Sequence, residues 1–283
     1  MNDGSKFVGL DVHKETIAVS IAEVEGVEVR YYGEIKNTPE AIRKLCDKLK
    51  PKKGGLFFCY EAGPCGFGIH RQLIDLGWDC LVVATSLIPR KAGDRVKTDR
   101  RDSMMLARLL RASELTGAWV PDDAQEALRD LTRGREDMKR LQRQSKQILL
   151  SFLLRHGRRY DGKSHWTKTH YGWLADQKFA HASQQIVFEE YLNAIKSLNL
   201  RVDVFDRQIE KMAEESVFKE VIEGLMSLRG VNRLTAVTIV AELGDLRRFE
   251  SAPQLMAYLG LVPSEYSSGG NRTRGGITKT GNG

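Results

Sequence analysis

The chain has 283 residues, of which 41% are hydrophobic and 29% charged. That is enough apolar material for real cores, it argues against wholesale disorder, and it suits one large domain or a few small ones. Lys and Arg outnumber Asp and Glu by 44 to 37, and the net charge of +7 suits a polyanionic partner such as DNA or RNA.

Cys46, Cys59, Cys65 and Cys80 form neither a C-x-x-C pair nor a zinc-ligand spacing, and they read as reduced thiols of a cytoplasmic protein. The start shows no signal-peptide pattern, and no apolar run reaches the ~20 residues of a membrane span.

In chain order, 7–24 reads as a strand, a short turn near His13–Glu15 and a second strand, and 27–35 reads as a third. A helix is predicted over Pro39–Leu49, with Pro at its start and Ile42, Leu45 and Leu49 on one face. Leu56–Tyr60 is a buried strand ending at Glu61. A helix over 67–76 closes at Gly77, and a buried strand covers 80–84. A basic loop follows over 89–98, then a strong helix over 99–110. This order predicts a mixed sheet with helices packed on it.

From about Asp123 to Glu215 strand signals vanish. Leu128, Leu131, Met138, Leu141, Ile148 and Phe152 are predicted to line one helix. Ile195, Leu198, Val202, Phe205, Ile209 and Met212 line another, with 155–171 as a loop between them. This middle section reads as a helical hairpin or coiled-coil arm. Beyond Phe218, the segment LRGVNRLTAVTIVAELG resembles a helix–hairpin–helix element, whose Gly230–Ala241 stretch could turn backbone amides to a phosphate as readily as form an ordinary helical turn. Residues 264–283 hold too little apolar content to pack alone.

Four acids carry the chemistry. Asp11 interrupts an apolar strand, where a carboxylate is costly unless it meets a cation or hydrogen bonds. Glu61 ends another apolar strand, and Asp99 and Asp102, three apart on a helix, point to one place. Any one of them alone reads as structural: a turn cap, a strand end, or an acidic first helical turn favoured by the macrodipole. Together, mutual repulsion would demand a divalent cation, and an oxygen-rich set suits Mg²⁺ or Mn²⁺, ions that serve phosphoryl transfer. Arg90, Lys91, Arg95, Lys97, Arg100 and Arg101 beside the helix are candidate phosphate contacts, or else a solvated loop. His13, two residues after Asp11, could approach the acids, but the surface-turn reading is preferred. His165 and His170 lack a helical metal spacing, and Trp166, Tyr171 and Trp173, near Lys163 and Lys168, could stack on bases but read first as packing residues of the connector.

The runs GLDVHKE, YEAG and KTDRRDSMMLARLL, with the long C-terminal stretch from LRGVNRLTAVTIVAELG to GGITKTGN, resemble the DEDD insertion-sequence transposases at both ends of the chain. The resemblance implies a RuvC-like, ribonuclease H-like α/β domain over 1–122, a helical or coiled-coil connector over 123–217, and a small, mainly α C-terminal transposase domain over 218–283. It places the metal-binding acidic tetrad on Asp11, Glu61, Asp99 and Asp102. It also implies a nucleophilic serine at Ser268 in the Ser268–Gly269 step, with Ser267 next to it as the alternative. Lys97, Arg100, Arg101, Arg272, Arg274 and Lys279 become the expected nucleic-acid contacts.

Expected partners are DNA of the element ends and target, a guide RNA, and further copies of the chain as a dimer or tetramer, with no membrane. Family members continue past KTGN into an Arg-containing helix, so the resemblance also implies a C-terminal part without its closing helix. Two rival readings stay open: a structure-specific nuclease that uses water, and a non-catalytic nucleic-acid-binding remnant.

Overall fold

Burial is nearly continuous along the middle of the first two strands, because the sheet they build is covered on both faces. β1 (Lys6–Val12), β2 (Thr16–Glu23) and β3 (Val29–Lys36) pair antiparallel, while β1, β4 (Leu56–Glu61) and β5 (Asp79–Val83) pair parallel, giving the order β3-β2-β1-β4-β5. Val8, Leu10, Ile17, Val19, Ile21, Phe58, Tyr60 and Val82 face one way. There they meet Ile42, Leu45 and Leu49 of α1 (Pro39–Leu49) and Ile69 and Leu73 of α2 (Gly68–Asp75). The opposite face carries α3 (Asp99–Arg111), with Leu106, Ala107 and Leu109 on Phe7, Cys59 and Val83. Thr38 caps α1, its Oγ1 accepting from the Ala41 N–H, with Pro39 in the first turn.

This mixed α/β layering is consistent with the ribonuclease H-like expectation. The structure, a computed structural model, describes residues 4–24, 26, 28–89, 98–268 and 271–278, in two compact units, Met1–Val120 and Pro121–Gly283. Arg90, Lys91, Arg95, Lys97, Gly269, Gly270 and Lys279, and with them most of the expected basic loop, lie outside the described residues, as does the side chain of Arg272.

Two features lock α3 to the sheet. The buried hydroxyls of Ser20 and Ser103 are hydrogen-bonded at 2.8 Å. Gly9, in the central strand, leaves no room for a side chain: a Cβ there would stand 2.3 Å from the Ser103 carbonyl oxygen and 2.4 Å from the Ala107 nitrogen. Glycine in a strand interior commonly marks such a close backbone approach.

The second unit is built on two long helices, α4 (Asp123–Arg155) and α6 (Ala182–Glu215). Along α6 the buried positions are Phe188, Leu192, Ile195, Val202, Ile209 and Ala213, a near-heptad stripe. The expected stripe on α4 needs correction. Leu141 and Ile148 are each 42% exposed, while Thr132 and Gln142 are buried in their place. Gln142 donates to Asn199 at 2.7 Å, and Arg135 pairs with Asp206, so the middle of the helix pair is joined by polar contacts rather than by leucines.

The predicted loop over 155–171 also ends earlier than expected. α5 (Lys168–Ala175) starts there, capped by Thr167, and Trp166, Tyr171 and Trp173 pack with Phe152, Phe188 and Tyr191.

α7 (Lys219–Met226), a turn holding Gly230 at φ +88, and α8 (Arg233–Leu243) pack on the N-terminal half of α4 through Leu128, Ile222, Ala236, Val237 and Val240. The carbonyls at the end of α8 are capped from α4. Gln125 Nε2 and Arg129 Nε reach the Ala241 oxygen, both at 3.1 Å, and the Arg129 guanidinium also reaches the Glu242 oxygen at 3.1 Å. Cations belong at a helix C-terminus, and charge-assisted bonds to otherwise unpaired carbonyls are the stronger kind. Arg129→Met keeps the stem and removes these bonds, so a urea melt should show a loss of about 2 kcal/mol; an unchanged midpoint would show that the cap contributes nothing.

After α9 (Ala252–Tyr258) come β6 (Pro263–Ser268) and β7 (Asn271–Ile277), an antiparallel hairpin. The expectation of a mainly helical C-terminal part omits this hairpin. Every residue of β6 is exposed, so no apolar alternation announces it in the sequence. No helix among the described residues is long and apolar enough to cross a membrane.

Candidate active site

The parallel register of β1 and β4 runs from Lys6↔Leu56 to Leu10↔Tyr60, so Asp11 and Glu61 stand at the next position along two neighbouring strands. Gly9 faces α3, and the Cys59 thiol reaches the Leu106 carbonyl oxygen at 3.6 Å. Two residues further on, Asp11 and Glu61 therefore project from the same, α3-bearing face. α3 arrives with its N-terminus at this end of the sheet. Thr98 caps it, Oγ1 accepting from the Arg101 N–H at 3.3 Å, and Asp99 and Asp102 lie in its first turn. The fold thus brings strand ends and a helix start together from segments far apart in sequence.

Donor atoms of Asp11, His13 and Asp99 all lie within 4.8 Å of one another. His13 Nε2 is 3.3 Å from Asp11 Oδ2 and 3.4 Å from Asp99 Oδ2. Glu61 and Asp102 are not members of that trio. Asp102 is close enough to act on Asp11 electrostatically. Burial pushes the Asp11 carboxyl above its ordinary value, Asp102 and Asp99 push it further, and His13 opposes them. Asp11 Oδ2 and Asp102 Oδ2 are both buried without a hydrogen-bond partner.

An acidic first turn alone would be explained by the helix macrodipole. Two buried carboxylate oxygens without donors are not explained that way, because such atoms are costly unless hydrogen bonds or a cation meet them. These residues fit a hard divalent cation. His13 is the functional candidate that sequence reasoning set aside as a surface-turn residue. Its only sequence signal was the spacing of two from Asp11, which says nothing about the turn that folds it back.

Among the expected basic contacts, Arg100 lies over the Tyr31 ring at 5.3 Å, and Arg101 sits exposed in the first turn of α3. In the second unit, Ser268 pairs with Asn271 as the last described pair of the hairpin, flanking Gly269 and Gly270. Ser267 and Ser268 project to opposite sides of the ribbon. On one side, the Ser267 hydroxyl donates to Glu265 at 3.1 Å, and Arg274 Nε donates to the same carboxylate at 3.3 Å. Ser268 lies on the other side with Tyr266, and both are exposed.

Comparison with known proteins gives concordant results from both ends of the chain. Residues 8–157 match the sequence profile of DEDD transposases of the IS110 type, described as "Transposase". Residues 222–283 match a second profile, described as "Transposase IS116/IS110/IS902 family". The protein y4qE of Sinorhizobium fredii, named as a transposase, is 46% identical over 277 residues, which cover 98% of this chain and 68% of that protein. The transposase for insertion sequence element IS1533 of Leptospira borgpetersenii is 32% identical over 247 residues, covering 87% of this chain and 71% of the relative. The first profile alone spans over half the chain, and both relatives are matched over more than two thirds of their length.

Proposed function

Since the chain belongs to the IS110-type transposase family, enzymes that cut and join the DNA of insertion sequences, we propose that Asp11, Glu61, Asp99 and Asp102 hold the divalent cation, Mg²⁺ or Mn²⁺, for that chemistry and that Ser268 is the nucleophile. The observation that carries this reading is the pair of buried, unpartnered carboxylate oxygens on Asp11 and Asp102, on elements that converge at one end of the sheet. A bound divalent cation supplies charge stabilisation at the phosphoryl oxygens and lowers the barrier to displacement there.

The chain's own residues do the rest. The four carboxylates fix the position of the scissile phosphate indirectly, and Arg100, Arg101, Arg272 and Arg274, with Lys97 and Lys279, contact the DNA backbone. The Ser268 Oγ attacks phosphorus. An Oγ–P bond forms while the bond from phosphorus to the leaving deoxyribose oxygen breaks. The serine proton passes to a carboxylate acting as base, and the leaving oxygen takes up a proton from solvent. Rejoining reverses the exchange with a new deoxyribose hydroxyl. In this reading 1–122 is the catalytic domain, 123–217 the connector through which copies of the chain assemble as a dimer or tetramer, and 218–283 the part that presents Ser268. A guide RNA from the element selects the DNA.

The test is cleavage of element-end and target DNA with Mg²⁺, with and without RNA transcribed from the element's flanks, resolved on a denaturing gel. The wild type should give protein covalently attached to DNA. Ser268→Ala should abolish the adduct, a loss of at least about a thousandfold. Cutting that survives Ser268→Ala but not Asp11→Ala would move the chemistry to water and remove the serine from it. DNA binding with no Mg²⁺-dependent cutting at all would leave a binding protein only.

A further inference from the structure

We propose that His13 is a nitrogen ligand of the cation held by Asp11 and Asp99, which makes this a mixed oxygen–nitrogen site that takes Mn²⁺ in preference to Mg²⁺. The inference rests on the carboxylate-site reading above and adds to it a residue outside the acidic tetrad.

Geometry is the first argument. The His13 Nε2 lies 3.3 Å from Asp11 Oδ2 and 3.4 Å from Asp99 Oδ2, and the three donor atoms lie within 4.8 Å of one another. Neighbouring ligands of an octahedral ion with bonds of ~2.1 Å stand roughly 3 Å apart, so His13 Nε2 already lies at about a ligand-to-ligand spacing from each of the two carboxylates. The second argument concerns what the contact is not. Nε2 is at ion-pair distance from Asp11 Oδ2, yet that oxygen has no aligned hydrogen-bond donor. The ring stands beside the carboxylate without the alignment of a full hydrogen bond to Oδ2, which leaves that buried oxygen open to a cation.

The third argument is positional. A surface-turn histidine would need no fixed backbone, whereas this one is held on both sides. Its N–H donates to the Thr16 carbonyl at 2.9 Å, its carbonyl accepts from Asn37 Nδ2 at 2.8 Å, and the Asn37 N–H donates to the Glu15 carbonyl at 2.9 Å. The tight turn between β1 and β2 is thereby pinned to the end of β3. The imidazole is delivered to the acids although its side chain is 49% exposed and no core packing directs it.

The donor set decides the ion. Mg²⁺ binds through oxygen and keeps its waters, whereas an imidazole ligand favours first-row transition ions. An imidazole added to the carboxylates thus discriminates between two ions that oxygen ligands alone separate less well.

The test uses the full chain loaded with Mn²⁺ and read by pulsed electron paramagnetic resonance, with Mn²⁺ affinity measured from the free-ion signal. The wild type should show ¹⁴N coupling from a directly bound histidine nitrogen. His13→Gln should lose that coupling and weaken Mn²⁺ binding about tenfold, while Mg²⁺ binding changes less than about twofold. His13 is half exposed in a turn, and an unchanged metal-free melting temperature would show that the variant is folded. If Mn²⁺ binds, Asp11→Asn abolishes it, and the wild type lacks ¹⁴N coupling, then His13 is not a ligand and the carboxylate site stands alone. Coupling that persists in His13→Gln would equally overturn the assignment, and a wild type that binds no Mn²⁺ would overturn both readings.

Discussion

Asp11→Asn should give a protein that melts at a higher temperature than the wild type in metal-free buffer at neutral pH, and that no longer cuts DNA when Mg²⁺ is supplied. Both halves follow from one carboxylate. Burial and the neighbouring Asp102 and Asp99 raise the Asp11 carboxyl above its ordinary 3.8. A carboxyl raised on folding contributes stability that is fully present below its unfolded value and lost as pH rises through its folded value. At neutral pH the ionised Asp11 therefore strains the unit that contains it. Asparagine keeps the shape and drops the charge, so the metal-free midpoint should rise by roughly 2 °C, and the gain should vanish in acid, where wild-type Asp11 is itself neutral.

Divalent ions should reverse the ranking. A ligand that binds only the folded state at about a hundred times its dissociation constant stabilises by about 2.7 kcal/mol, and the variant should forgo most of that. Cleavage should fall at least about a thousandfold, or ~4 kcal/mol in the barrier. Thermal melts with and without Mg²⁺, paired with the cleavage gel, check both halves. A variant that melts lower without metal and still cuts would remove Asp11 from the site.

Gly9→Ala tests the scaffold rather than the chemistry, and its effect should be large for so small a change. The added Cβ would meet backbone on α3, the Ser103 oxygen at 2.3 Å and the Ala107 nitrogen at 2.4 Å, and a main chain cannot rotate out of the way as a side chain can. Either the helix lifts or the strand bends, at about 3 kcal/mol. Lifting α3 also carries Asp99 and Asp102 away from Asp11, so the chains that remain folded should bind Mn²⁺ poorly. Gly224→Ala is the contrast. Gly224 lies in the exposed interior of α7 with nothing within 4 Å of its Cβ position, and alanine there should be neutral or stabilise by about 0.5–1 kcal/mol. Urea melts of the two variants side by side decide the matter; equal midpoints would show that α3 does not need the bare backbone of Gly9.

The sequence was most legible where one physical rule dominated. A strand of apolar residues broken by Asp11, or ended by Glu61, is conspicuous because burial of charge is costly. The elements of the first unit follow their apolar runs and helical patterns closely, with Pro39 marking one helix start. It was least legible where tertiary contacts override pattern. On α4, counting leucines puts Leu141 and Ile148 inward, but the partner helix offers Asn199 at that level and Gln142 turns in to meet it. His13 was ranked as a surface-turn residue because its closeness to the acids depends on a turn pinned by Asn37, 24 residues away. The α5 helix hid among aromatic residues, and the hairpin hid because no residue of β6 is buried to give an inward rhythm.

That hairpin has a consequence for how the protein can change. Glu265 and Ser267 share one side of β6, while Tyr266 and Ser268 share the other, and no buried side chain of β6 holds either side inward. Which hydroxyl is offered to a partner is therefore a question of parity, odd or even along the strand. A single residue gained or lost just before Ser267 would exchange the two serines without disturbing any core, so this tip can trade one hydroxyl for its neighbour in one short mutational step, whereas the acids at the sheet, wedged under α3, have no such freedom.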